Sequence, residues 1–87
     1  MAWFVYIVKC ADGTFYTGMT KDVTRRVAEH SAGKGAKYTR TRCPVKLVYS
    51  KRAGSISLAM KKELKIKRMN RTGKMKIILK YQAVSAG

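Results

Sequence analysis

Phe4-Val5-Tyr6-Ile7-Val8-Lys9-Cys10-Ala11-Asp12-Gly13-Thr14-Phe15-Tyr16-Thr17-Gly18 reads as two strands and the turn that joins them. Trp3 to Lys9 is aromatic and β-branched, a strand signal, and Thr14 to Met19 carries the return strand. The length of the turn decides which side chains meet. A two-residue Asp-Gly turn would put Tyr6 and Tyr16 on opposite faces of the sheet. A three-residue turn over Ala11-Asp12-Gly13, with Gly13 in the left-handed region, pairs Tyr6 with Gly18 and Val8 with Tyr16. The turn rules favour this second register. Both tyrosines then share one face, and Gly18 leaves space above Tyr6.

Further along, Asp22 can cap a helix that runs to about Ser31, with Gly33 past its end. At 100° per residue, Val23 and Val27 form its buried line, flanked by Arg26 and His30 one turn apart. Arg25 and Glu29 fall on the far side as an i,i+4 pair. Residues 33–43 read as a glycine-containing basic loop, ended by Pro44, and Val45 to Tyr49 gives a third strand. Ser55 or Ser57 can cap a second helix to about Met69 with an inward stripe of Ile56, Ala59, Met60 and Leu64. Glu63 takes the next position on that stripe. Asn70 can cap a last helix over about residues 71–81, with Met75, Ile78 and Leu79 inward, and residues 82–87 read as a frayed tail. The expected fold class is α/β (α+β), a small three-stranded antiparallel sheet flanked by helices, in a single domain over residues 1–82.

Eighty-seven residues place this chain near the lower end of what buries its own core. Its net charge is +16. Within residues 1–22 Lys9 and Lys21 cancel Asp12 and Asp22, so the excess lies downstream, where only Glu29 and Glu63 oppose the Lys and Arg residues. Self-repulsion on that scale points to a polyanionic partner. DNA or RNA is favoured over a membrane, because no helix pairs a basic face with a bulky aromatic one. No apolar run approaches a membrane span and the first residues lack a signal-peptide pattern, so a cytoplasmic location is expected, with no obligate protein partner. Cys10 and Cys43 lack the spacing of a zinc site and read as reduced structural thiols. In the basic loop, Lys34, Lys37, Tyr38, Arg40 and Arg42 interleave charge with an aromatic ring, a pattern suited to phosphate contact and base stacking.

An inward carboxylate in so basic a chain needs a partner. Glu63 is either half of an ion pair with Arg26 or a lysine, or a ligand for a metal such as Mg²⁺, which commonly takes only one or two carboxylates. Here the residues resemble the GIY-YIG nuclease superfamily, in particular its small single-domain bacterial members. Phe4-Val5-Tyr6 stands where that family has Gly-Ile-Tyr, and Tyr16-Thr17-Gly18 where it has Tyr-Ile-Gly. Asp22 to His30 is similar to its first helix, Gly33 to Arg40 with Arg42 to Tyr49 to its stand-alone branch, and Lys62 to Lys67 to the helix bearing the metal-binding glutamate. Phe4 and Thr17 depart from the motif, and Gly54 to Leu58 is less acidic than in similar proteins.

The resemblance implies a metal-dependent DNA endonuclease with a catalytic set of Tyr6, Tyr16, Arg26, His30 and Glu63. Tyr6 would be the general base, its phenolate supported by Arg26, the metal and His30. Arg26 would brace the phosphorane, Tyr16 would position water or phosphate, and Glu63 would hold one Mg²⁺ or Mn²⁺. The substrate is expected to be DNA, single-stranded, duplex or branched, with weak sequence preference, and RNA is less favoured. The alternatives are a nucleic-acid-binding module of the same fold that does not cut, and an RNA-binding structural protein.

Overall fold

The structure, a computed structural model, describes residues 2–86 and the side chains of residues 2–84. Strands β1 (Trp3–Lys9) and β2 (Phe15–Thr20) are followed by helices α1 (Val23–Ser31) and α2 (Lys37–Arg40), strand β3 (Lys46–Ala53), and helices α3 (Ile56–Lys67) and α4 (Arg71–Ala86). The three strands form one antiparallel sheet in the order β2-β1-β3. The fold class expected from the sequence is the one observed.

The central strand explains the layering. Val5, Tyr6, Ile7 and Val8 are all buried, because β1 is covered on both faces. Val5 and Ile7 join Val48, Tyr49, Ala59, Ile66 and Ile78 in a core against α3 and α4. Tyr6, Val8, Cys10 and Val45 form a second core with Tyr16, Val23, Val27 and Leu47, under α1. A bulge where the β1–β3 register shifts after Ile7 lets the adjacent Val48 and Tyr49 both enter the first core.

Turn length decides the register as expected. Gly13 has φ 84°, and Tyr6 pairs with Gly18 and Val8 with Tyr16. Asp22 caps α1 by accepting from the Arg25 N–H at 3.1 Å, and Ser55 caps α3 by accepting from the Leu58 N–H at 3.2 Å. Asn70 likewise accepts from the Gly73 N–H at 2.8 Å.

Four expectations need correction. Residues 33–43 are not all loop, since Lys37–Arg40 forms the single turn α2. β3 continues past Tyr49 to Ala53, its pairing with β1 carrying the basic Lys51 and Arg52 along. On α3 the buried line is Ala59 and Ile66, with Ile56, Met60 and Leu64 exposed. Two apolar lines run along that helix, and the sheet takes the one whose small Ala59 permits close approach. Finally, α4 extends to Ala86, beyond the expected end at Tyr81, and Leu79 faces solvent while Ile78 is buried. The last residue of the expected tail, Gly87, lies outside the described residues.

Candidate active site

Tyr6 lies across bare backbone. A Cβ added at Gly18 would stand 2.5 Å from the Tyr6 hydroxyl oxygen and 2.7 Å from its Cζ, so only glycine leaves room for the ring. The Tyr6 hydroxyl then meets helix α1, where it lies 2.8 Å from Nε2 of His30. Tyr6 is 1% exposed and His30 0%. Tyr16, on the same sheet face, closes the group: its ring centroid is 5.2 Å from that of His30 and stacks at 5.9 Å on Tyr38.

Arg26 sits one turn before His30. Its side chain is 33% exposed against 77% for Arg25, so of the two arginines it is the one turned toward the sheet. Its NH1 donates to Glu29 at 3.1 Å, and it lies close enough to Tyr6 to favour the phenolate through hydrogen bonding and charge. Burial wins nonetheless. Desolvation pushes the Tyr6 phenol up to about 12, with the charges of Tyr16 and Glu63 adding to the rise and Arg26 opposing it. His30 moves below its ordinary value, first because it is buried and then because Arg26 is nearby. Among the chain's own groups, therefore, the resting pair at pH 7 is a neutral phenol and a neutral imidazole.

Behind His30 lies a residue that sequence reasoning passed over. Nδ1 is 2.7 Å from Oγ1 of Thr39, which is fully buried on α2 and donates to the Ala36 carbonyl at 3.0 Å. Thr39 stands between Tyr38 and Arg40 in a basic stretch, and nothing local marks it. The available signal was Gly35, where a Cβ would run into the His30 ring.

Glu63 projects from α3 with its side chain 23% exposed. Its charge is felt at Tyr6, and its Oε1 is 3.6 Å from Nζ of Lys67 on the same helix. The other three carboxylates are more fully engaged. Asp12 accepts from Thr14 and Arg42, Asp22 caps α1, and Glu29 meets both Arg25 and Arg26. No group of three or more His, Cys, Asp or Glu side chains converges among the described residues, so a closed metal cage is excluded there. A single loosely paired carboxylate is the donor set that suits Mg²⁺ or Mn²⁺ when water and phosphate supply the remaining ligands.

The basic loop divides into two parts. Lys34, Lys37 and Arg40 are exposed and form no ion pair among the described residues. Arg42 is occupied: Nε donates to Asp12 at 3.1 Å, NH1 to the Tyr38 carbonyl at 2.8 Å, and its guanidinium lies 4.1 Å from the Tyr38 ring centroid. It ties α2 to the hairpin turn. A cavity of about 620 Å³ is lined by Phe4, Val23, Leu47, Ser50 and Tyr81 among others and includes none of the five candidate residues.

The hairpin that puts two tyrosines on one face, met by arginine and histidine from the next helix, carries Phe4-Val5-Tyr6 and Tyr16-Thr17-Gly18 at the positions of the two tripeptides from which GIY-YIG proteins take their name. The GIY-YIG catalytic domain matches residues 2–77, and the chain belongs to the GIY-YIG family, a family of nucleases. Its relatives are small UPF0213 proteins. The chain is 53% identical over 75 residues to one from Natronomonas pharaonis, covering 86% of this chain and 88% of that protein. It is 55% identical over 75 residues to one from Staphylococcus haemolyticus, covering 86% of this chain and 92% of that protein. The solution NMR structure of a UPF0213 protein from Bacillus halodurans superposes with a TM-score of 0.59 at 45% identity, over 90% of this chain and 83% of that one. An E. faecalis protein solved by NMR gives a TM-score of 0.64 at 34% identity, over 95% and 88% of the two chains. No helix among the described residues is long and apolar enough to cross a membrane.

Proposed function

We propose that this protein is a divalent-metal-dependent endonuclease that hydrolyses phosphodiester bonds of DNA with little sequence preference, acting in the cytoplasm. The observation that carries the reading is the 2.8 Å contact between the Tyr6 hydroxyl and His30, held over Gly18 with Arg26 alongside. With the chain's own groups alone, a phenol with a pKa of about 12 is ionised in only about one molecule in 10⁵ at pH 7, so little phenolate stands ready to act as base. A relay avoids that difficulty. Water attacks phosphorus and gives its proton to the Tyr6 oxygen as the Tyr6 proton passes to Nε2 of His30. The bond from phosphorus to the leaving oxygen breaks, and that oxygen is protonated from solvent.

Arg26 and Tyr16, the members of the cluster that reach solvent, meet the phosphate first. Arg26 presents a guanidinium to the charge that develops on the equatorial oxygens, and Tyr16 orients water or phosphate. Glu63 would hold one Mg²⁺ or Mn²⁺, which when bound supplies further neutralisation of the phosphate. Lys34, Lys37 and Arg40 contact backbone phosphates beyond the scissile one. Arg42 acts mainly by holding Tyr38 in place, and Tyr38 extends the aromatic surface of Tyr16.

A second reading, a binding module that does not cut, is favoured by one fact: Tyr6 and His30 are almost wholly covered. One assay separates the two. End-labelled single-stranded, duplex and branched DNA, with matching RNA, is incubated with Mg²⁺ or Mn²⁺ and with chelator. DNA cleavage that chelator abolishes supports the nuclease, and binding without cleavage in either metal selects the module.

A further inference from the structure

Thr39 faces the side of His30 that points away from Tyr6. We propose that Thr39 is a positioning residue that fixes His30 in the tautomer with hydrogen on Nδ1, so that Nε2 presents its lone pair to the Tyr6 hydroxyl. The tautomer follows from counting donors and acceptors along one chain of contacts. The Thr39 hydroxyl has a single proton, and the Ala36 carbonyl lies 3.0 Å away to receive it. Nδ1, 2.7 Å from the same oxygen, must then be the donor of that pair. Nε2 is left as an acceptor, and the Tyr6 hydroxyl donates to it at 2.8 Å.

The opposite tautomer fails at both ends. The Thr39 hydroxyl and the Ala36 N–H, which lies 3.3 Å from Nδ1, would both aim at the one in-plane lone pair of that nitrogen. At the other end, Nε2–H would donate to the Tyr6 oxygen, and the Tyr6 proton would need another acceptor. Among the described residues His30 is the one acceptor bonded to the Tyr6 hydroxyl, since the neighbouring Arg26 can only donate, and Tyr6 is 1% exposed. A buried hydroxyl with no acceptor is costly. The favoured tautomer leaves unmade only the Ala36 N–H contact, which is the longest of the set and belongs to a half-buried residue.

The surroundings hold this arrangement in place. Thr39 and His30 are both fully covered, and Gly35 permits α2 to approach the ring where any Cβ would collide with it. Thr39 forms no hydrogen bond to Tyr6 among the described residues, lies away from the open surface, and acts through His30. Its consequence for catalysis rests on the relay above. When a proton reaches Nε2, the imidazolium that forms is steadied by the Nδ1–H bond to Thr39, whose own proton is already committed to Ala36.

The chain has one histidine, so its ring can be read without ambiguity. ¹⁵N NMR of the free protein above neutral pH should show Nδ1 protonated and Nε2 bare. Thr39→Ser should keep that pattern. Thr39→Val, which keeps the shape and removes the hydroxyl, should shift the ring toward the other tautomer. In single-turnover cleavage, Thr39→Val should be slower by about tenfold or more at unchanged DNA affinity, with Thr39→Ser within a few-fold of wild type. Wild-type protein with hydrogen on Nε2 overturns the inference, as does Thr39→Val with an unaltered tautomer ratio. If the valine variant does not fold, the wild-type spectrum and the serine variant still decide. An Nδ1–H ring in a protein that cuts no DNA upholds the Thr39 assignment and removes the nuclease reading instead.

Discussion

One methyl group at residue 18 tests the geometry on which the site depends. In Gly18→Ala the new Cβ would lie 2.5 Å from the Tyr6 hydroxyl oxygen, 2.7 Å from Cζ and 3.0 Å from Cε1. Non-bonded carbons settle at about 3.5–4.0 Å, so the ring must retreat by roughly 1 Å. It has nowhere easy to go. Its hydroxyl is 2.8 Å from His30, and His30 is held from behind by Thr39 at 2.7 Å. Overpacking of this kind costs about 1–3 kcal/mol. For a domain of this size each kcal/mol lowers the melting temperature by about 4–8 °C, so a fall of roughly 5–20 °C is expected. The same displacement would slow cleavage by about 100-fold. A melt followed by circular dichroism, the His30 ring resonances and single-turnover cleavage together measure the effect. A variant with the wild-type melting temperature and unchanged His30 resonances would show that Tyr6 does not lie on Gly18, and the register argument would fall with it.

Thr17 is buried, and its Oγ1 is the one covered side-chain polar atom without a partner among the described residues. Thr17→Val should therefore raise stability by about 1–3 kcal/mol with cleavage unchanged, because Thr17 shares the sheet face of Ile7 and not that of Tyr6; a destabilised variant would contradict this. The lowered pKa of His30 sets a pH dependence. Below the ordinary histidine value the unfolded chain takes up a proton that the folded one refuses, so this stability is fully present above about pH 6.5 and declines as pH falls below it. An NMR titration of the single histidine with a midpoint at or above 6.5 would refute the shift. Replacing Lys34, Lys37 and Arg40 together by alanine should make the slope of log affinity against log salt for duplex DNA shallower by about 3. An unchanged slope would remove those residues from the phosphate interface.

Much of this arrangement is legible in the amino-acid sequence. The hairpin register follows from counting three turn residues to Gly13, and it places Tyr6 over Gly18 with Tyr16 on the same face. Asp22 fixes where α1 starts, and helical periodicity then turns Arg26 and His30 toward the sheet. These inferences succeed because each rests on local stereochemistry. The failures come where tertiary contact chooses between equal options. Ile56, Met60 and Leu64 make as good a stripe as Ala59 and Ile66, and only the approach of the sheet selects the second. Thr39 was invisible for a related reason: its importance lies in meeting His30, nine residues earlier, across a loop closed by Gly35. The reach of Arg42 back to Asp12 spans thirty positions and leaves no periodic trace.

The central claim is that the Tyr6 oxygen relays the proton of an attacking water to His30. Tyr6→Phe removes that one atom and leaves the ring over Gly18. The cost to folding should be about 1–3 kcal/mol, because Nε2 of the buried His30 loses its partner. Single-turnover cleavage of labelled DNA in Mg²⁺ or Mn²⁺, run beside a binding titration and a melt, is the direct measurement. The account predicts cleavage by wild type and a loss of about 100-fold or more in Tyr6→Phe, with DNA affinity and folding retained. A phenylalanine variant that cuts at the wild-type rate would contradict it.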